Sequence, residues 1–409
     1  MAPARSATGA EAPLLPHRGG ETEADVKPAS VPGAVFNVST SIIGAGIMSI
    51  PATLKVLGVV PAFLMIVLIA VVVDISVEFM LRFTYSGESR TYAGLMRESF
   101  GRWGSVAVQI CVMITNLGCL IMYLIIIGDV LSGTGEEHLG VLQEWFESLW
   151  FSSAVSVLLA IVFVGICSVM AISALIEGQT KTPRILPELD GGVSFFNLFT
   201  AIPVIVTAFT FHFNVHAIGV ELGKPSAMIS AVRIALVLCA AIYFAIGIFG
   251  YLLFGDSTMD DILVNFDQSS GSRISSFLND IVRLSYALHL MLVFPLLNFS
   301  LRTNIDEFLF SKKPLLAVDT KRFVILTLVL LVLAYVLAIA IPSIWYLFQF
   351  MGSTSAVCLA FIFPGSVVLR DIHGISTARD KIIAAVMITL AVITSTIAIS
   401  TNIYKMVAK

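Results

Sequence analysis

The residues best suited to chemistry are three polar side chains in an otherwise apolar stretch. His212 and His216 are four residues apart and would share one helical face, with Asn214 between them. Imidazole titrates near neutral pH, so the pair could relay protons, and an asparagine amide both donates and accepts hydrogen bonds. The commoner role of a buried histidine is packing, and two histidines at this spacing could also bind a metal ion. No third ligand is evident, so we predict no metal site.

A second group of polar side chains lies in the second long apolar stretch of the chain, 58–83. Asp74, Glu78 and Arg82 recur every four residues, a spacing that favours an ion pair between Glu78 and Arg82. Asp74 lies one helical turn deeper, and ionisable residues inside apolar segments often mark a substrate or proton pathway. Asp74 is therefore a candidate proton-coupling residue, together with His212 and His216.

The element that must position such groups is the apolar stretch 35–54. Gly44, Gly46 and Pro51 interrupt it, and hydroxyl side chains crowd its middle. Backbone at membrane depth leaves the helical pattern only where protein or water satisfies its polar groups, and a broken span can form a binding site at the midplane. A half-helix N-terminus suits a carboxylate, and unwound carbonyls suit an ammonium or a cation. The alternative is a close helix–helix contact, because small residues also let spans pack tightly.

Composition places the chain among polytopic membrane proteins. It has 409 residues, of which 57% are hydrophobic and 12% are charged, and a mean hydropathy of +0.95, whereas about a quarter of the residues of a soluble domain are charged. The net charge of -3 argues against a nucleic-acid partner. Apolar runs long enough to cross a bilayer predict ten spans, near 33–54, 58–83, 104–131, 152–174, 197–219, 234–254, 281–301, 323–341, 344–369 and 382–403.

Motifs of catalysis and cofactor binding are missing from the sequence. There is no phosphate-binding Gly-rich loop of the ATPase type, and the polar connections are too short to hold a catalytic domain, so we do not expect an enzyme. The five cysteines lie in apolar segments without ligand-like spacing. Neither a cofactor nor a metal is predicted. The polar residues 1–32 predict a disordered cytoplasmic tail ahead of a transmembrane domain over 33–409.

Charges in the short loops predict an orientation and reveal an inconsistency. The basic loop 302–322 is predicted to be cytoplasmic, and the acidic loop 132–151 to face the opposite side. Counting spans from both loops places 132–151 and 175–196 on the same side, although a single span, 152–174, separates them. We therefore predict that one membrane crossing is missing near residue 147.

Several motifs resemble those of the amino acid/auxin permease family. Residues 36–39 and 43–47 resemble its first span, and residues 211–214 its sixth. The likeness extends over most of the chain from Pro32 onward. It is strongest to plant-type vacuolar amino acid transporters, which are similar to the animal sodium-coupled neutral amino acid transporters. Residues 249–256 and 294–302 resemble the ends of the seventh and eighth spans.

The resemblance implies an all-α, LeuT-like inverted-repeat fold of eleven spans. About ten spans are predicted here, and the family's fourth span is the missing one, in agreement with the loop charges. The first and sixth spans would be broken around the substrate. Carried over to this sequence, the substrate-binding residues would be Ser41, Ile43, Gly44, Ala45, Gly46 and Ile47 of the first span with Phe211, His212 and Asn214 of the sixth.

The resemblance further implies a secondary active transporter of amino acids that works by alternating access. Sodium-coupled relatives carry a hydroxyl residue in the eighth span, whereas residues 289–294 contain no Ser or Thr, so we expect protons rather than sodium as the symported ion. The expected location is the vacuole or another endomembrane. The alternative is an amino-acid sensor or a non-transporting truncated isoform.

Overall fold

The computed structural model describes residues 30–132, 152–178, 180–189, 192–268, 273–310, 313–314, 316–341 and 343–407. Within these ranges the chain forms helices and their connections, without strands. The helices are α1 (Val31–Ile42), α2 (Gly46–Leu57), α3 (Val59–Ser86), α4 (Tyr92–Ser132), α5 (Ser152–Ile176), α6 (Gly192–Ala208), α7 (His212–Leu222), α8 (Pro225–Phe254), α9 (Ile262–Gln268), α10 (Arg273–Phe310), α11 (Thr320–Ala340), α12 (Ile344–Ser353), α13 (Ser355–Val357), α14 (Phe363–Arg370) and α15 (Ala378–Val407).

Each of the ten predicted spans corresponds to a helix or to a group of consecutive helices. Eight spans are long and apolar enough to cross a membrane, and the bent pair α1–α2 gives a ninth. The tenth, α5, has 25 residues, but its apolar part within the described residues is the shorter segment Val162–Ile176. Helix α4 starts well before its apolar run because it consists of two helical segments. A kink at Gly101, at φ 67°, separates the short first segment from the span. Only glycine adopts that backbone conformation without strain.

Two spans are broken near their middles. Helices α1 and α2 meet at an angle of 62° across Ile43–Ala45, and α6 and α7 are separated by residues 209–211. The predicted break in the stretch 35–54 is thus confirmed at Gly44. Pro51 takes no part in it, because this proline lies inside α2 and the helix continues through it.

The two faces of the helix bundle are defined by its connections. The broken span α1–α2 starts at one face, here called the inner face, and ends at the opposite, outer face. The broken span α6–α7 runs the other way, so the two breaks belong to halves of opposite orientation, as an inverted repeat requires. Ser30, 87–91, 223–224 and 371–377 lie at the inner face, and Gly58, 180–189 and 255–261 lie at the outer face.

The contacts of residues 180–189 fix the side on which α5 ends. The Val59 amide donates to the Arg184 carbonyl at 2.9 Å, and the Lys181 amide donates to the Leu252 carbonyl at 2.8 Å. Both partners lie at the outer ends of their spans, so α5 also ends at the outer face. Its 25 residues measure about 37 Å, so it starts at the inner face.

Helix α4 also ends at the outer face, where an Arg283 guanidinium N–H donates to the Asp129 carbonyl at 3.2 Å. The chain therefore leaves α4 on one side and enters α5 on the other. This is the inconsistency that the loop charges predicted, and it is present in the described helices themselves. The predicted missing crossing near residue 147, like the tail 1–29, lies outside the described residues.

Candidate functional site

A cavity of about 290 Å³ lies where the two breaks face each other. Its walls come from α1 and its break, α4, the ends of α6 and α7, α10, and Phe348 of α12. The volume is near the lower end of the ~300–1,000 Å³ range of ligand pockets, which suits a small ligand. None of the described residues that line the cavity carries a charge.

The polar contacts of the cavity join the two broken spans. The Asn214 amide of α7 donates to the Ser41 hydroxyl of α1 at 3.3 Å. Ser41 in turn donates to the Asn37 carbonyl one turn earlier, at 2.8 Å. Asn214 retains its amide oxygen as an acceptor, so the pair can still bind a polar ligand.

Helix ends supply the remaining polar groups of the site. Helices α2 and α7 start at the breaks, and the unpaired N–H groups of a helix start, with the helix dipole, favour an anion. Helices α1 and α6 end there and direct carbonyls to the same space. Among the described hydrogen bonds, the Thr40 and Ser41 carbonyls accept none. The site therefore offers N–H donors and carbonyl acceptors around one cavity, without a charged side chain among the described lining residues.

The two histidines lie behind the cavity wall and both face α3. Nε2 of His212 lies 2.8 Å from the Ser76 hydroxyl, and Nε2 of His216 lies 2.9 Å from the Thr84 hydroxyl. His212 is completely buried, and Nδ1 of each ring has no hydrogen-bond partner among the described residues. The four-residue spacing thus places each imidazole on a separate hydroxyl of the same neighbouring helix.

Asp74 lies outside the cavity, in a contact that the sequence did not suggest. Its carboxylate and that of Glu78 flank Arg233 of α8, at 3.2 Å and 2.6 Å. Arg82 lies 2.9 Å from the Asp380 carboxylate of α15. The predicted ion pair between Glu78 and Arg82 is therefore wrong, because both residues are closer to opposite charges on other helices than to each other.

The structure brings together part of the predicted substrate-binding set. Five of its members line the cavity: Ser41, Gly44, Ala45, Gly46 and Asn214. The other four, Ile43, Ile47, Phe211 and His212, are not among the lining residues. Ile47, Phe211 and His212 are fully buried in the surrounding core.

One wall of the cavity contains none of the predicted substrate-binding residues. It consists of α4, with Met122 and Tyr123, and of α10, with Leu292 and Ser300. Most of these residues are ordinary for a span and carry no local signal. The one usable signal was Asn116, a polar residue in an apolar span, whose amide donates to the Ser300 hydroxyl at 3.2 Å.

The cavity extends from the breaks toward the inner face, where Phe36 and Asn37 of α1 line it. On the other side of the breaks, the connection between α8 and α9 covers α2. The Ser49 hydroxyl donates to the Asp260 carbonyl at 2.7 Å, and the Lys55 ammonium donates to the Thr258 carbonyl at 2.9 Å. The structure is thus closed toward the outer face.

Comparison with known proteins agrees with this architecture. The sequence profile of the family described as transmembrane amino acid transporter protein matches residues 27–145 and 141–407. The chain belongs to this family. Membership also confirms the resemblance to the amino acid/auxin permeases, and it places the chain in a family of transporters.

Named relatives of the transmembrane amino acid transporter family cover nearly the whole chain. Amino acid transporter AVT6C of Arabidopsis thaliana is 62% identical, with 93% of this chain and 94% of the relative covered. Amino acid transporter AVT6D of the same plant is 56% identical, with 97% and 98% covered. The human sodium-coupled neutral amino acid transporter 4 is 25% identical, with 82% and 77% covered.

Among solved structures, a mutant of the Eremococcus coleocola manganese transporter has the same fold. The TM-score is 0.58 at 12% sequence identity, with 91% of this chain and 86% of that chain covered. At this identity the likeness concerns the fold alone. It confirms the LeuT-like, all-α architecture that the sequence motifs predicted.

The family match also bears on the missing span. The profile matches in two pieces that meet at residues 141–145, within the connection between α4 and α5. The alignment with AVT6C has 411 positions and includes 93% of this chain, which is about 380 of its 409 residues. About thirty aligned positions of AVT6C therefore have no counterpart in this chain. That number is enough for one helical span.

Proposed function

We propose that this chain binds a neutral amino acid in the cavity between the two breaks and transports it by proton-coupled alternating access. One observation carries the proposal: helix starts, helix ends and the Asn214–Ser41 pair converge on a cavity without charged side chains. An amino acid is a zwitterion, and it needs one site for its carboxylate and one for its ammonium. A side chain that carries a net charge would find no counter-charge here.

The two termini of the substrate would bind to opposite helix ends. The starts of α2 and α7 offer N–H groups and positive dipole ends to the carboxylate. The Thr40 and Ser41 carbonyls, at the end of α1, suit the ammonium. The apolar residues Met122 and Leu292, from the wall opposite the breaks, would contact the substrate side chain.

Among the three candidates for proton coupling, His212 is the best placed. It belongs to the same turn of α7 as Phe213 and Asn214, which line the cavity, so a change in its charge would act directly on the pocket. Asp74 is held instead by Arg233 on the outside of the bundle. His216 lies one turn farther toward the inner face. We therefore assign the proton to His212.

Alternating access would follow from movement of the broken spans. The inner half of the pathway is open along α1 and α10, and the outer half is closed over α2 by the Ser49–Asp260 and Lys55–Thr258 hydrogen bonds. Opening the outer side requires these bonds to break as α1 and α7 close the inner side. The Asn214–Ser41 bond ties the two moving spans together.

The proposed location is the vacuolar membrane, in line with the plant-type motifs, and co-fractionation of the tagged chain with vacuolar membranes would test it. The alternative of a sensor or a non-transporting form has no support from the relatives, which are all named as transporters.

The decisive experiment is uptake of radiolabelled neutral amino acids into proteoliposomes that contain the purified full chain. A pH gradient is applied with and without sodium. We expect uphill accumulation that the pH gradient drives and that a protonophore abolishes. The His212→Gln variant, whose amide can still bond to the Ser76 hydroxyl but cannot titrate, should bind substrate without uphill accumulation.

Asp74→Asn provides the matched control, because it removes an ionisable group that lies on the outside of the bundle. Its uphill uptake should persist. Uptake that is equally concentrative in His212→Gln would refute the assignment of the proton. Binding of amino acid without any flux by the wild-type chain would refute transport and support the non-transporting form.

A further inference from the structure

Three buried tyrosines converge on the break of the first span from three different helices. They are Tyr123 of α4, Tyr243 of α8 and Tyr286 of α10, and the last two are completely buried. The hydroxyl of Tyr286 donates to the Gly44 carbonyl at 2.6 Å. The hydroxyl of Tyr123 packs against Gly44 so closely that a Cβ there would lie 2.8 Å from it.

Tyr243 connects the two breaks. Its hydroxyl lies 2.7 Å from the Ile42 carbonyl and 2.9 Å from the Ala208 carbonyl. These carbonyls end α1 and α6, so neither has an intrahelical partner. A phenol has one proton and shares it between the two acceptors, which holds the broken spans at a fixed separation.

Unwound carbonyls in a low-dielectric interior must be paired, because an unsatisfied polar group there costs several kcal/mol. Broken-helix transporters can meet this need with a bound cation, which gathers carbonyls from the unwound span. Here neutral hydroxyls already take the Gly44, Ile42 and Ala208 carbonyls. A sodium ion at this break would have to displace them.

We propose that Tyr286 and Tyr243 hold the breaks in place of a bound cation, so that amino acid binding by this chain does not require sodium. Tyr286 acts as the positioning residue, because it belongs to α10 and fixes the unwound segment to the opposite wall of the cavity. The inference rests on the proposed function of the cavity as an amino acid site. It assigns the ion selectivity of that site to two named hydroxyl groups.

The test measures equilibrium binding of radiolabelled neutral amino acids to the purified full chain at one pH. Sodium chloride is compared with choline chloride at equal ionic strength. We expect the wild-type affinities in the two salts to agree within about twofold, since no cation is part of the site. Binding that is tenfold or more tighter in sodium would overturn the proposal.

The variant Tyr286→Phe removes one hydroxyl and keeps the ring. We expect about tenfold weaker binding in choline, the usual effect of losing one buried hydrogen bond. Sodium should recover part of that loss, because the Gly44 carbonyl then keeps only the Ile47 amide as a donor, at 3.2 Å, and its second lone pair can accept a cation. Unchanged affinity in choline, or an equal loss in both salts, would overturn the role of Tyr286.

Tyr92→Phe is the matched control. The buried Tyr92 hydroxyl also donates to a backbone carbonyl, that of Leu359 at 2.7 Å, but at the inner end of α4 rather than at a break. Its removal should lower the thermal stability as Tyr286→Phe does, without a change in affinity in either salt. If the wild-type chain binds no neutral amino acid in any salt, the proposed function fails, and that result is distinct from sodium-dependent binding.

Discussion

Gly46→Ala is the sharpest test of the packing at the breaks. A Cβ at Gly46 would lie 2.7 Å from the Cβ and 2.8 Å from the Cα of Ala208. Carbon atoms in favourable contact are about 3.5–4.0 Å apart, so the two spans would have to separate by about 1 Å. Because the obstacle includes backbone of the second break, no side-chain rotation relieves it.

Overpacking of this kind costs about 1–3 kcal/mol. If the added Cβ destabilises the conformation that binds substrate by this amount, the affinity falls about 5- to 150-fold. The assay is equilibrium binding of a neutral amino acid, with thermal unfolding of the same samples. Gly128→Ala is the control, since Gly128 of α4 has no atom within 4 Å of its would-be Cβ. It should leave both measurements unchanged.

Ala208→Gly in the Gly46→Ala background should recover part of the affinity, because it removes the methyl group that lies nearest to the added Cβ. The recovery should be incomplete, since the backbone of residue 208 still lies too close. Wild-type affinity and stability in Gly46→Ala alone would refute the reasoning, because the two breaks would then not pack together as tightly as described.

Three further predictions concern the surroundings of the site. Burial raises the pKa of Asp261, at the outer face, to about 7, above its value in the unfolded chain. The stability that Asp261 contributes is therefore present at low pH and is lost as the pH rises through about 4 to 7. Thermal unfolding of Asp261→Asn should lack this pH dependence. Gly352→Ala should abolish folding, seen as loss of monodisperse protein, because its Cβ would overlap the Pro203 carbonyl. Arg233→Met should lower the thermal stability, because the arginine faces two carboxylates about two to three turns from the inner end of α3. Added Asp74→Asn should recover part of the loss.

Much of the fold could be predicted because membrane spans are a local property of sequence. Hydropathy located nine spans that the described helices confirm and a tenth that corresponds to α5. The helices exceed the predicted spans mainly at their ends, where polar turns continue the helix beyond the apolar run. The break at Gly44 was also predictable from the glycines and hydroxyl residues in the middle of a span. The alternative use of small residues, a close contact between helices, is present as well, since Gly46 packs against Ala208. Pro51 was a false signal for the break, because α2 continues through it.

The site was only half predictable, and the reason is the distance along the chain between its parts. Ser41, Gly46 and Asn214 belong to recognisable broken spans and do line the cavity. Tyr123 and Leu292 sit in spans whose sequence gives no hint of which face meets the breaks. Such faces are set by packing between helices far apart in sequence.

The sequence by itself determined the approximate positions of the spans, the position of the first break, and the mismatch of sides between the end of α4 and the start of α5, because hydropathy, glycine content and loop charge act locally or can be counted along the chain. Only the tertiary structure decided which groups meet. In the structure, His212 hydrogen-bonds with Ser76, Asp74 pairs with Arg233, and Tyr286 donates to the Gly44 carbonyl. These pairs form because buried polar groups take whichever partner the packing of distant helices brings within reach.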